Sequence, residues 1–493
     1  MARLTSLTVA LLTLSGCGSA SDDKVEDTAT AGETTSTTTT QTTSTTGTTG
    51  TSGTGTGTNT TDTTPTDALV LGDWTLTPHE NVGSILVLAW EQGKAGDVWA
   101  EYSFDEDVWL STPVVSAEAG SHELPLLGIP FATEADVRIW SSAKGKEPES
   151  IETSQTTGDL PTGLLSNTVL TLDETATDEA TPWILMSMEG SGRTGPWTVI
   201  IDRRGRYVWA VETVGGFWTM HVQPSYDGSH VLIDRNSFWG MFDGGDASNV
   251  VRMTIDGEVL SMTDTPGLHH PFTELPDGTL AWGAAQGFFA GDETLKTVAP
   301  DGTRSTLWSC EDWLSSIGES GSCGSNTLRW DALTNTFLFS LYTVETVVEI
   351  DAKTGNANRW FGHVNGSWGF DPEESAFWWQ HGGYYTDART FLTSSKNVDG
   401  GNETVIREYT LDEEREVLVE VWNFGLGEGV YGETMGEAHR LPGGNTLHNY
   451  GDEVRLREAT PEGEVVWDID WPSASDQIGR STPLSNLYDF DWD

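Results

Sequence analysis

Positive charge is scarce in this sequence: 25 Lys+Arg stand against 75 Asp+Glu in 493 residues, a formal net charge of −50. A chain so acidic, with no basic stripe, is repelled by nucleic acid and by an anionic membrane surface. Cysteine is nearly absent, at three residues, which excludes a disulfide-built mini-scaffold and offers no cysteine cluster for zinc. Long hydrophobic runs are missing too. The apolar stretch from Leu4 to Leu14 is too short to span a bilayer. Abundant instead are glycine (55 residues), tryptophan (22) and phenylalanine (16), the composition of a turn-rich β protein able to bury a core. The length exceeds what one ordinary core organises, so more than one unit is expected.

The first residues set a compartment. Arg3 and the apolar run after it read as an export signal over residues 1–16. The run ends in Leu14-Ser-Gly-Cys17, which resembles a bacterial lipobox and implies lipidation of Cys17 as the mature N-terminus; an ordinary secretory signal with an incidental cysteine is the alternative. The expected location is therefore the bacterial cell envelope, exported and lipid-anchored at the outer membrane or cell surface. Membrane contact is expected only through that anchor. In such an oxidising compartment Cys310 and Cys323, with twelve residues between them, are expected to form a disulfide.

Residues 17–66 follow as a Thr/Ser/Gly-rich linker; from Thr35 to Thr64 there is no aromatic or aliphatic residue. Such a chain cannot offset its ordering entropy, and about forty residues of it would span roughly 35 Å as a disordered tether. Residues 67–160 turn to short alternating runs, such as Ser84-Ile-Leu-Val-Leu-Ala-Trp90 and Ala135-Asp-Val-Arg-Ile-Trp140. They predict a β-sandwich that loosely resembles a fibronectin type III domain.

Residues 165–493 carry a repeat. Six times an alternating strand leads through a tight polar turn to a second strand often ending on Trp. The copies begin at Thr198, Val251, Leu295, Val347, Val405 and Val454, and turns recur every 45 to 60 residues. Further hairpins, such as Thr273-Glu-Leu-Pro-Asp-Gly-Thr-Leu280 and Arg440-Leu-Pro-Gly-Gly-Asn-Thr-Leu447, lie between them. Two hairpins per period make four strands per unit, and six units make an all-β, six-bladed β-propeller behind the sandwich and tether.

Propeller ligands sit where the innermost strands converge. His221, His269, His270, His381 and His439 fall near the start of successive units, and Asn326 holds the comparable place in the fourth. Arg407 lies in the outer hairpin of the fifth. Histidines at equivalent places in separate repeats point to a channel site; the alternative for each is a bond to neighbouring backbone across the channel.

Several pieces, in order, are similar to the bacterial arylsulfate sulfotransferases, exported six-bladed propellers. They are His269-His270 followed by Glu274-Leu-Pro-Asp-Gly-Thr-Leu280, Ser325-Asn-Thr-Leu-Arg-Trp-Asp331, Gln380-His381, Ile406-Arg-Glu-Tyr409 and Gly436-Glu-Ala-His-Arg-Leu-Pro-Gly-Gly-Asn-Thr-Leu447. The likeness covers roughly residues 180–470. It implies sulfuryl transfer from a small-molecule aryl sulfate donor to a phenolic acceptor through a sulfated histidine, with no cofactor and no metal. A neutral imidazole can serve as nucleophile, splitting one displacement into two, while further His and Arg donors stabilise the sulfuryl oxygens. His269 or His270, His381 and Arg407 would match the family's channel residues. The nucleophile would be His439, His381 or His448, in that order, and Asn326 and His221 would bind substrate. Gly382-Gly383 stands where the family often has Asn. The alternative reading is a non-catalytic cell-surface propeller that binds a carbohydrate, aromatic or protein ligand, with Trp368, Trp378 and Trp379 as stacking platforms.

Overall fold

The computed structural model describes residues 55–57, 70–105, 108–191, 194–285, 292–397, 403–472 and 477–492. The export signal, Cys17 and all of the Thr-rich linker except 55–57 lie outside the described residues.

Within 55–156, two sheets face each other. One orders the strands Gly55–Gly57, Trp74–Pro78, Leu86–Gln92 and Gly120–Leu126; the other is built on Gly96–Asp105 and Glu134–Ala143. Alternation sends Leu86, Leu88, Trp90, Val98, Ala100, Tyr102, Val137 and Ile139 inward into one apolar core, as the period of two in these runs requires.

The remaining described strands form six sheets, the blades of a β-propeller, antiparallel throughout except where Gly369–Asp371 adds a parallel outer strand to Val417–Phe424 of blade 5. Their innermost strands are Ile478–Leu484, Val222–Pro224, Leu268–Glu274, Ser325–Asp331, Trp378–Tyr385 and Glu437–Arg440 for blades 1 to 6. The ring closes twice. The C-terminal strand Ile478–Leu484 pairs with Trp183–Met188 as the innermost strand of blade 1. At the other seam, Thr168–Leu172 adds an outer strand to Val465–Asp470 of blade 6.

The six sequence repeats coincide with the hairpin between the third and fourth strands of each blade. Their terminal tryptophans have a structural reason. Trp209, Trp422 and Trp467 each donate an indole N–H to a carbonyl in or beside the equivalent turn of the following blade: Ile255 O at 2.5 Å, Pro461 O at 2.8 Å and Arg203 O at 2.6 Å. Trp209 and Trp467 are fully buried. Each such ring removes on the order of 200 Å² from water, about 5 kcal/mol before entropy is counted. Blade-to-blade packing is thus written into the repeat.

The sandwich is tied to blade 1 and the C-terminus by polar contacts. The Arg206 guanidinium holds the Asp105 carboxylate through two hydrogen bonds of 2.7 Å. Tyr102 and Tyr488 meet hydroxyl to hydroxyl at 3.0 Å. Cys310 and Cys323 form the expected disulfide, with Cα atoms 6.3 Å apart, pinning the helix Cys310–Ser316 to the start of blade 4.

Candidate functional site

All six innermost strands run in the same sense: five end in a hairpin to the second strand of their own blade, and the sixth, Ile478–Leu484, pairs antiparallel with Trp183–Met188, the second strand of blade 1. Residues near the strand starts therefore share one level of the channel. That level carries Arg480 from blade 1, His221 just before the blade 2 strand, His270 from blade 3, Asn326 from blade 4, His381 from blade 5 and Glu437 from blade 6. Every blade contributes one polar side chain; Arg480 is 1% exposed, Glu437 2% and Asn326 4%, while His270 is only partly buried.

Arg480 organises this layer. Its guanidinium donates to the carbonyls of Gly436 and Asn326, joining blades 1, 6 and 4. Burial pulls its pKa down to about 10, against the attraction of Glu437, so it stays charged at neutral pH. Glu437 is the counter-charge. Its Oε1 accepts the Ser481 N–H at 2.6 Å, and its Oε2 lies 2.8 Å from Arg329 Nη2 and 3.4 Å from His439 Nε2. Burial alone would raise this carboxyl, but His439, Arg329 and Arg480 together hold it well below the ordinary range.

The channel histidines are held neutral. Burial, then Arg329 and Arg480, bring His221 down to about 3. Burial pushes His270 well below its ordinary value, with His269, Arg480 and His381 adding to the effect. His381 is lowered likewise by burial, then by Arg480 and Lys396. The tautomer of His270 follows from its contacts. Nδ1 lies 2.8 Å from the carbonyl of His269 and donates to it, so Nε2 carries the lone pair. That Nε2 is sealed from solvent and has no hydrogen-bond partner among the described residues. The Asn326 Oδ1 is a second buried acceptor without a donor there, its Nδ2 being committed to Gln380 O at 2.6 Å.

Other expected site residues take different places. His269 turns away from the channel, between blades, where its Nε2 faces the buried Glu293 carboxylate at 3.1 and 3.2 Å and Ser325 Oγ at 3.3 Å. Ser325 itself donates to Glu293 Oε1 at 2.5 Å. Acid and hydroxyl thus share one ring nitrogen, unlike a nucleophilic triad, whose acid and hydroxyl hold opposite nitrogens. His439 lies further along its strand, toward the hairpin end. There it joins Arg329, Trp330, Asp331, Leu338, Tyr384 and Tyr385 around a cavity of 130 Å³.

Two expectations are corrected. Arg407 is not in the channel: it sits on the third strand of blade 5, two strands out, paired with Glu420 of the fourth strand. His448 is on the second strand of blade 6, where its Nε2 meets Ser394 Oγ of blade 5 at 3.0 Å and its ring packs on Tyr450 at 3.9 Å; burial, then Arg457, lowers it to about 3. It packs between blades instead of binding in the channel. Gln380, adjacent to His381, is structural, donating to Ser340 Oγ, Leu341 O and Thr346 O of blade 4. Gly382 takes φ +94°, a conformation that lets the strand bulge after His381.

Arg480, Glu437 and Arg329 were missed in sequence. Arg480 lies in Ile478-Gly-Arg-Ser-Thr-Pro-Leu484, beyond the sixth repeat, and the signal that would have found it is topological: a closed propeller needs one more innermost strand than the repeats supply.

No family model and no curated relative matches this sequence. Among solved structures, a protein of unknown function from Bacteroides caccae is 17% identical, with a TM-score of 0.42 over 62% of this chain and 100% of its own. A streptogramin B lyase is 10% identical, with a TM-score of 0.35 over 62% of this chain and 86% of its own. A putative 6-phosphogluconolactonase from Bacteroides fragilis is 12% identical, with a TM-score of 0.36 over 62% of this chain and 100% of its own. These likenesses transfer no activity to this chain.

Proposed function

We propose that this propeller is a nucleotide-independent sulfuryl transferase, exported and lipid-anchored at Cys17, that moves a sulfuryl group from a phenolic sulfate ester to a phenol through a channel histidine. The observation that carries the reading is the neutral, buried Nε2 of His270, without a partner among the described residues, beside Arg480, which is charged at neutral pH. In the first step the Nε2 lone pair forms an N–S bond as the S–O(aryl) bond breaks, and the phenolate leaves and takes up a proton from water. In the second, the acceptor phenol gives up its proton to the hydroxide that the first step left in solvent, its oxygen bonds to sulfur, and the N–S bond breaks with its electron pair returning to Nε2. His381 and Arg480 are the groups disposed to stabilise the sulfuryl oxygens. The order of nucleophiles expected from the sequence changes with this reading: His270 leads, because the Nε2 of His439 faces the Glu437 carboxylate.

The test is release of 4-nitrophenol from 4-nitrophenyl sulfate with phenol as acceptor. Turnover is expected to fall on the order of a thousandfold in His270→Ala, with the urea midpoint retained. Turnover by His270→Ala equal to the wild type would overturn the assignment.

One observation favours a non-catalytic, ligand-binding propeller. The Arg480 guanidinium is already engaged by two main-chain carbonyls, as a staple closing the ring would be. Under that reading the wild type binds aryl sulfates without releasing phenol.

A further inference from the structure

At the start of the blade 5 innermost strand, above His381, three aromatic rings surround one ammonium group. Lys396 Nζ lies 5.5 Å from the ring centre of Tyr342, 5.8 Å from that of Trp379 and 5.5 Å from that of Tyr431. Its one hydrogen bond to a described side chain runs to Tyr342 Oη, at 3.1 Å. Register fixes the relation to the channel. His381 pairs with Ser394, and Lys396 lies two residues on, so it points to the same face about 7 Å further toward the loops. The Tyr342 ring closes the gap, with its centre 5.1 Å from that of His381.

Two features separate this cluster from ordinary packing. Trp379 is 38% exposed, whereas its neighbour Trp378 is stacked on His363 at 3.8 Å and Trp368 is buried in the blade 5 core. Trp379 also holds φ +44°, a left-handed conformation that is costly for a bulky side chain and that persists where the surroundings impose it. The strain presents an indole face beside the channel mouth. Burial lowers the pKa of this ammonium below its ordinary value, while the carboxylates of Glu433 and Asp452 oppose that shift and favour the charged form.

We infer that Trp379, Tyr342 and Tyr431 form the subsite for the aromatic ring of a singly charged sulfate ester, with Lys396 drawing its anionic group toward His381. The inference rests on the reading of the channel as a sulfate-ester site and adds which part of the ligand the mouth selects. The ring stacks on the exposed Trp379 face, and two ammonium hydrogens of Lys396 remain for the ester oxygens. Glu433 and Asp452 disfavour a second ligand charge, so phosphate monoesters, which carry close to two, bind less well.

The experiment is calorimetric titration of the mature chain with 2-naphthyl sulfate and with cyclohexyl sulfate, which keeps the charged group and a ring but no π face. The wild type is expected to prefer the naphthyl ester about tenfold. Trp379→Gly is expected to erase the preference while folding normally, because glycine suits φ +44°, and Trp379→Phe to keep most of it. A naphthyl preference unchanged in Trp379→Gly, or absent from the wild type, overturns the subsite. Phenol release measured on the same preparations separates the two claims. A preference that depends on Trp379 without phenol release upholds the subsite and removes the transferase. Release with no such preference does the reverse.

Discussion

Replacing Glu437 by Gln tests the electrostatic layer that closes the ring. The carboxylate accepts from Ser481 N–H in the closing strand of blade 1 and pairs with Arg329 of blade 4, so one side chain of blade 6 binds three blades together. Glutamine keeps an acceptor for Ser481 but leaves Arg480, 1% exposed, without its counter-charge. Breaking a buried pair by removing one partner costs about 3–5 kcal/mol. The pH dependence has a definite sign. The carboxyl lies well below its ordinary value in the folded chain, so its stabilisation is complete above the unfolded pKa of about 4.3 and is lost as pH falls through the lower folded value. Urea unfolding followed by tryptophan fluorescence should therefore show Glu437→Gln less stable by about 3 kcal/mol or more at pH 7, with the gap narrowing below about pH 4. A gap under about 1 kcal/mol at pH 7, or one that does not change with pH, would refute the argument.

Three further outcomes follow from contacts elsewhere. Gly283→Ala places a Cβ 2.6 Å from Ser325 Oγ and 2.9 Å from Glu293 Oε1, so it should cost about 2 kcal/mol by overpacking; an unchanged urea midpoint would contradict the packing around His269. Removing both Cys310 and Cys323, 13 positions apart, should cost about 3 kcal/mol through loop entropy, while thiol titration of the unfolded, unreduced mature chain should find neither of them free. Arg407→Met should cost about 2 kcal/mol by orphaning Glu420 yet leave the affinity for 2-naphthyl sulfate unchanged; a tenfold loss of affinity would return Arg407 to the site.

The sequence made the blades legible because their signals are local. A strand, an Asp-Gly or Gly-Asn turn and a tryptophan that caps the next blade's turn repeat at a readable spacing, and the fully buried Trp209 and Trp467 report that period directly. The histidines at the strand starts were legible for the same reason: His221, His270 and His381 occupy equivalent places in separate repeats. What escaped was non-local. Arg480 belongs to a strand without a repeat partner in sequence, joined to blade 1 from the far end of the chain. Arg407 misled because the family likeness of Arg-Glu-Tyr was set above its place in the outer hairpin; on that third strand the guanidinium turns to Glu420 of the same sheet. His448 sits one strand too far out for the same reason. The whole-chain charge of −50 also hid the local field, since Arg480, Arg329 and Lys396 gather around a channel in which burial holds His221, His270 and His381 neutral.

The most direct test of the central claim is to locate a sulfuryl group on the protein. The mature chain is mixed briefly with 4-nitrophenyl sulfate without acceptor, quenched in alkali and mapped by peptide mass spectrometry. The account predicts one sulfuryl adduct, on His270, that disappears when phenol is added before the quench. Phenol release with no adduct on any channel histidine, or an adduct that persists in His270→Ala, would contradict it.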